Sequence, residues 1–196
     1  MRNNDNEEKI MDAALKVVSQ NTISGTRTAM IAEEAGMTPS NLHYYYKSKD
    51  EILNDLRTKV FTETFRDPMA GDIPEPQNIS EALDYFFLDK IDYILRRKEY
   101  DYVQMDFWVQ AHVDKETGRL MTEGYEAWLT EIRERVIEPF AGDQIPDFDK
   151  DLMAHLIISM MQGASIQYHL KSFNLMGYFS YCKYTIRGLL KKFELV

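Results

Sequence analysis

Thr28-Ala-Met-Ile-Ala-Glu-Glu-Ala-Gly-Met-Thr-Pro-Ser-Asn-Leu-His-Tyr-Tyr-Tyr-Lys-Ser-Lys-Asp50 is the stretch from which the rest of this 196-residue chain is read. It reads as two short helices and a tight turn. Thr28 is placed as N-cap of the first, Ala29 to Ala35, because its hydroxyl oxygen can accept from a free N–H of the first turn. Gly36 follows and can take the left-handed conformation that ends a helix. Thr38 caps the second helix, and Pro39 takes its first position, where a missing N–H costs nothing. Leu42 and Tyr46 share the buried face of that helix. Ser40, Asn41, His43, Tyr44 and Tyr45 are left for the other faces. A short helix that presents this many hydrogen-bonding groups, and no acidic one, suits a nucleic-acid groove.

Outward from this stretch, the hydrophobic content of 44% and aromatic content of 12% exclude a disordered chain. Few glycines and prolines and few β-branched runs favour an all-α fold of about nine helices. No apolar run approaches the roughly 18 residues of a membrane span. The polar, acidic start, Met1 to Glu8, is not a secretory signal. Cys182 is the single cysteine, so no internal disulfide can form, which fits the cytoplasm. The net charge of −9 is uneven. Residues 1–60 hold 8 Lys/Arg and 9 Asp/Glu, and the rest hold 15 and 23. Phosphate contacts are local, since charges are screened within about 8 Å in physiological salt. A near-neutral head on an acidic body can therefore meet DNA, with weak non-specific affinity.

Before the opening stretch, Ile10, Ala14, Val17 and Val18 stripe a helix over residues 7–20, and Asn21 to Thr26 read as a turn. After it, Ser48 and Glu51 form a capping box. The helix they open carries Ile52, Leu53, Leu56 and Val60 inward and runs on through Phe61 and Phe65. The prolines and Gly71 of residues 66–78 make a loop. Ser80 is read as the cap of the next helix. A strongly aromatic helix spans Tyr100 to Ala111. Asp114 caps a long one striped by Met121, Tyr125, Trp128, Ile132 and Val136. Gly142 to Asp149 is a second loop. The helix over about 150–170 has two apolar rows: Leu152, Leu156, Met160 and Gly163; and Met153, Ile157, Met161, Ala164 and Tyr168. A helix apolar on two faces needs two partners. With the last helix, which includes Phe179, Cys182, Ile186, Leu189 and Phe193, it predicts a homodimer through residues 150–193.

Ile31-Ala32-Glu33-Glu34-Ala35-Gly36-Met37-Thr38-Pro39-Ser40-Asn41-Leu42-His43-Tyr44-Tyr45-Tyr46-Lys47-Ser48-Lys49-Asp50-Glu51-Ile52 resembles, without a gap, the head of the TetR family of transcriptional repressors. The residues around Phe107-Trp108 and Tyr125 to Trp128 are similar to the betaine-regulator-like branch. His43, Tyr45 and Tyr46 depart from the family's usual Tyr, His and Phe. The resemblance implies a DNA-binding domain over residues 1–50. Residues 51–196 would bind a ligand and dimerise, with the helix at 50–65 as link. It implies a repressor on palindromic DNA, released by a small-molecule effector.

The second short helix would then lie in the major groove. Thr28, Thr38, Tyr44 and Lys49 would meet phosphates, with Arg27, Asn41 and Lys47 beside them. Pro39 and Ser40 would touch bases, His43 either, and Tyr45 is divided between DNA and core. For the effector, the resemblance together with the aromatic and methionine-rich body points to Phe61, Phe65, Tyr102, Met105 and Trp108, and to Tyr125, Trp128 and Tyr168. Gln104, Asp106, Gln162 and His112 are candidate polar anchors.

No enzyme motif is present: no phosphate-binding glycine loop, no nucleophile elbow, no His-Glu-x-x-His. His155 and His169 lie about 21 Å apart along a helix, too far to share an ion. The expectation is no metal, no cofactor and no catalysis. A helical ligand-binding or enzymatic bundle with a vestigial head is the alternative.

Overall fold

The structure is a computed structural model that describes residues 2–70, 72, 74–141 and 145–194. Gly71 and Gly142, expected in loops, and the side chain of Phe193 lie outside the described residues. Among the described residues there are nine α-helices and no strand: α1 (Arg2–Gly25), α2 (Thr28–Glu34), α3 (Pro39–Tyr45), α4 (Lys49–Thr64), α5 (Ile79–Arg96), α6 (Lys98–Gln110), α7 (Lys115–Ile132), α8 (Asp147–Leu170) and α9 (Leu175–Glu194). They form two compact units, Met1–Arg66 with Lys98–Thr122, and Asp67–Arg97 with Glu123–Val196.

In the first unit α1 packs against α2, α4 and α6. Ile10, Ala14, Val18, Ile31, Leu42, Ile52, Leu56 and Val60 make one core with Val103 and Phe107 of α6. Val103 and Phe107, four residues apart on one helical face, bring α6 into the core of this unit.

Several caps are as read and others shift. Thr38 Oγ1 accepts from the Asn41 N–H at 3.2 Å, and Ser48 Oγ from that of Glu51 at 3.2 Å. Glu51 returns a carboxylate to the Lys47 N–H, one residue before the cap, at 2.7 Å. Thr28 is not a cap: α2 starts on it, Arg27 precedes it extended, and no side chain caps the helix. Asn78, rather than Ser80, caps α5, accepting from the Glu81 N–H at 3.1 Å. The amide oxygen of Asn reaches a first-turn N–H as well as a hydroxyl does. Gly36 is left-handed at φ 66°, and Met37 N–H donates to Ala32 at 2.8 Å.

The turn read over 21–26 is a break inside a longer helix. Thr22 has φ 62° and ψ 167°, and helical residues continue to Gly25. That backbone region is nearly glycine's alone and costs about 1–3 kcal/mol. The Thr22 carbonyl accepts from Thr26 N–H and Oγ1 at 3.1 and 2.7 Å.

In the second unit Phe86, Phe87 and Ile94 of α5 are buried with Ile132, Ile157 and Ile158. Phe87 stacks on Phe179 of α9, ring centres 4.6 Å apart. After α7 the chain widens into a π-helical turn, Arg133–Ile137, with Glu138 N–H donating to Arg133 at 2.9 Å. The extra residue turns both Val136 and Ile137 inward, where the plain stripe predicts Val136 alone.

Arg135 donates to the carboxylate of Asp67 and, at 3.2 Å, to the Met69 carbonyl. Glu131 faces the same group. Burial pushes its carboxyl up to about 8, the hydrogen bond and charge of Asp67 push the same way, and Arg135 opposes. Because the folded value lies above the ordinary 4.5, the stabilisation is complete below that pH and is lost as pH rises through about 8. Glu131→Gln mimics the protonated acid. Its melting temperature should hold between pH 5 and 9 while the parent's falls, the gap reaching about 1 kcal/mol after solvent screening. Parallel melting profiles for the two proteins would show that the carboxyls do not share a proton.

Candidate nucleic-acid interface and effector residues

The interface is built on α3. Thr38, Pro39, Ser40, Asn41 and His43 are all exposed. Tyr44 is 70% exposed. The Thr38 oxygen is occupied by its cap bond, but a hydroxyl has one donor besides, and that proton is free for an anion. Arg27 and Thr28, at the start of α2, are exposed as well.

The aromatic run Tyr44-Tyr45-Tyr46 divides three ways. Tyr44 faces outward, edge-on to Tyr45 with ring centres 5.2 Å apart. The Tyr45 hydroxyl accepts from the Asn6 amide of α1 at 2.7 Å, and its ring packs on the head core. Tyr46 donates to Asp55 of α4 at 2.9 Å; burial first, then that carboxylate, raise its pKa well above the usual range. Tyr45 and Tyr46 thus both turn toward the protein.

Both lysines expected at phosphates have partners within the chain. Lys47 Nζ donates to the carbonyls of His43 and Tyr44 at 2.8 and 3.2 Å, where a cation complements the end of α3. It also lies 5.9 Å from the centre of the Tyr44 ring. Lys49 Nζ donates to the Ile23 carbonyl at 2.5 Å. The Ile23 N–H in turn donates to the carboxylate of Asp106 on α6. Asp106, expected at the effector, therefore has a structural task that no sequence spacing shows, since its partner is 83 residues away.

Arg57 of α4 is another residue that pattern reading passes over. It is 8% exposed and donates to Thr117 Oγ1 at 2.7 Å, Asn54 at 3.0 Å and Asp114 at 3.4 Å. Asp114 also caps α7 through the Thr117 N–H at 2.7 Å, which with the Thr117 hydroxyl lowers its pKa. A groove of about 910 Å³ beside these residues includes Leu53, Asn54, Thr58 and Gln110.

The expected effector residues fall on both units. Phe61, Phe65, Tyr102, Met105 and Trp108 belong to the first, and Tyr125, Trp128, Gln162 and Tyr168 to the second. In the first, Phe61 lies edge-on to Phe65 and Phe107, at 5.8 and 5.6 Å. In the second, the Tyr125 hydroxyl pairs with His155 Nδ1 at 3.1 Å, and Tyr168 lies edge-on to Phe173 at 5.9 Å. Trp128 is buried. His112 is exposed at the end of α6. Among the described residues no group of three His, Cys, Asp or Glu could hold a metal ion. No described helix is long and apolar enough to cross a membrane.

The profile described as "Bacterial regulatory proteins, tetR family" matches residues 10–56, and that of the "BetI-type transcriptional repressor, C-terminal" matches 94–177. The chain belongs to the TetR family of transcriptional regulators, with a helix-turn-helix DNA-binding head. It is 31% identical over 75 residues to the fatty acid metabolism regulator protein of Bacillus subtilis, a match that spans 38% of each chain. The same fold is seen in FadR of Bacillus subtilis in complex with stearoyl-CoA, at TM-score 0.72 and 17% identity, covering 91% of this chain and 96% of that one. It is seen again in a Saccharomonospora viridis regulator solved with choline, at TM-score 0.72 and 18% identity, covering 94% and 95%. These relatives are transcriptional regulators rather than enzymes.

Asp106→Ala leaves the Ile23 N–H without its acceptor, which costs about 1–3 kcal/mol of stability. Denaturant unfolding should show a lower midpoint with an unchanged slope. A full-strength midpoint would mean that Ile23 does not need this carboxylate.

Proposed function

We propose that the chain is a homodimeric repressor that binds palindromic operator DNA and is released by a small amphipathic effector, most simply a fatty-acyl compound. What carries the reading is the exposed, acid-free face of α3, where Thr38, Pro39, Ser40, His43 and Tyr44 stand together. Residues 1–50 contact DNA, residues 51–196 bind the effector and dimerise, and the helix at 50–65 links them. Hydroxyls of Thr28, Thr38 and Tyr44 dock on phosphates, with Arg27, Asn41, Lys47 and Lys49 at the margin. Pro39 and Ser40 meet base edges or thymine methyls, and His43 either. Such a regulator works in the cytoplasm, where the DNA is.

The dimer reading is supported by α8 and α9. The row Met153, Ile157, Met161 and Ala164 is buried within the chain, while Leu152 and Ile166 are exposed. Leu170 is 84% exposed, and Tyr184 of α9 is 76% exposed. A second copy is the simplest cover for such an apolar face. Ile166→Asp should sediment as a monomer at micromolar concentrations at which the parent sediments as a dimer. A monomeric parent would remove α8 and α9 as the interface.

The fatty-acyl effector rests on the Bacillus relatives and on the aromatic lining. The candidate lining residues are Phe61, Phe65, Tyr102, Met105 and Trp108 in the first unit, and Tyr125, Trp128, Gln162 and Tyr168 in the second. A quaternary ammonium is the second reading, favoured by the BetI-type match and by the choline complex. Titrating operator-bound protein with stearoyl-CoA and with choline separates the two by which compound releases the DNA. By linkage, the releasing compound must bind the operator complex more weakly by the same factor.

Fluorescence anisotropy on DNA from upstream of the protein's own gene tests the head. Tyr44→Ala should weaken binding to every sequence about tenfold. Arg27→Ala should do the same and lower the salt-dependence slope by about one. Parent-like binding by both variants at several salt concentrations would sink this docking.

A further inference from the structure

We propose that Gln104 and Trp108 are the polar end of the effector site and that they donate hydrogen bonds to the carbonyl oxygen of an acyl group. The assignment rests on the fatty-acyl reading above. Both residues lie on α6, four positions apart and so on one face. Gln104 is only 2% exposed. Its amide Nε2 is buried with no hydrogen-bond partner, and so is the indole Nε1 of Trp108. The Thr64 hydroxyl, on the last turn of α4 in the same unit, is unpaired too.

Folded proteins leave few buried polar atoms unpaired, and each one calls for an account. Arg57 in the same unit also has an unpaired buried Nε, but its other two nitrogens are bonded to Thr117 and Asn54, whereas Gln104 and Trp108 have no bonded donor nitrogen at all. What Gln104 and Trp108 have in common is chemical. Both offer neutral N–H donors and need an acceptor. A quaternary ammonium brings none, and neither does a hydrocarbon tail. A carbonyl oxygen has two lone pairs and can accept from both, because side chains at this spacing start about 5–6 Å apart. Neutral donors in a buried place also suit a neutral carbonyl better than a charged group. The rings of Phe65 and Phe107, each edge-on to Phe61 in this unit, are apolar company for an acyl chain.

Gln104→Met keeps the length of the side chain and removes the donor. Calorimetric titration of parent and variant would use three probes: stearoyl-CoA, the S-octadecyl-CoA thioether that lacks the carbonyl, and stearate. The parent should prefer the thioester over the thioether about tenfold, and the variant should bind both alike. Loss of stearate affinity as well in the variant supports the assignment with the free acid as an acyl source, and loss confined to stearoyl-CoA supports it with the thioester as the source. The unliganded variant should melt no lower than the parent and bind operator DNA as the parent does, since no existing bond is removed. A variant that melts lower would mean that Gln104 serves the fold, which overturns the proposal. Equal binding of thioester and thioether by the parent overturns it while leaving a fatty-acyl effector in place. No binding of any probe by the parent overturns the fatty-acyl reading, and this assignment with it.

Discussion

The backbone of Ile23 is the point on which the first unit depends. The break at Thr22 takes the chain out of helical geometry, and the groups that follow lose their intrahelical partners. A buried peptide group must be paired somewhere. Ile23 finds both partners on other helices: its N–H goes to Asp106 of α6, and its carbonyl takes the ammonium of Lys49 at the start of α4. One strained residue thereby fixes the end of α1 to the two helices that carry Phe61 and Phe107. Both bonds are charge-assisted and so stronger than neutral ones. The first unit is in this sense clasped as well as packed.

Because Lys49 is used in the clasp and Lys47 at the end of α3, little free positive charge is left around the exposed face of α3. Its exposed face is made of hydroxyls, an imidazole, a proline and a phenol, with Arg27 beside them. Such groups position a protein by local bonds to phosphate and base edges rather than by a long-range field. Tyr45 and Tyr46 sharpen this division: each has a phenol oxygen bonded to a neighbouring helix, and only Tyr44 of the three is left at the surface.

Where structure follows from short-range chemistry, the sequence was legible. The cap at Thr38, the proline after it, the left-handed Gly36 and the Ser48–Glu51 cap all involve partners within five residues. The two apolar rows of α8 follow from spacing alone, although spacing does not choose which row the chain's own core covers. What the sequence did not show depends on distant partners or on one residue of phase. Asn78 displaced Ser80 as a cap because either residue type serves. The π-turn after α7 adds a residue that no periodic stripe contains. α6 joined the head core because Val103 and Phe107 face α1 and α4, and an amphipathic pattern says which face is buried but not against what. Arg57 and Asp106 are single charged residues in helices, and apart from Asn54 their partners lie 57 and more positions away.

The same distinction bears on how this chain discriminates among DNA sites. Non-specific affinity comes from neutralised phosphates and scales with the number of cations at the interface. The exposed face of α3 offers few cations, and the residues beyond 60 carry 15 Lys/Arg against 23 Asp/Glu, so the remainder of the molecule adds no attraction of its own. A regulator of this composition spends little time on arbitrary DNA. On the docking proposed above, its occupancy of a site rests on the few direct contacts from Pro39, Ser40 and His43 and on two heads acting at once. Two weak heads held at one spacing bind far more tightly than either alone, and anything that alters the spacing forfeits that gain. In the repressor proposed above, a modest change in head spacing is therefore enough to release the DNA, because few cations would hold it.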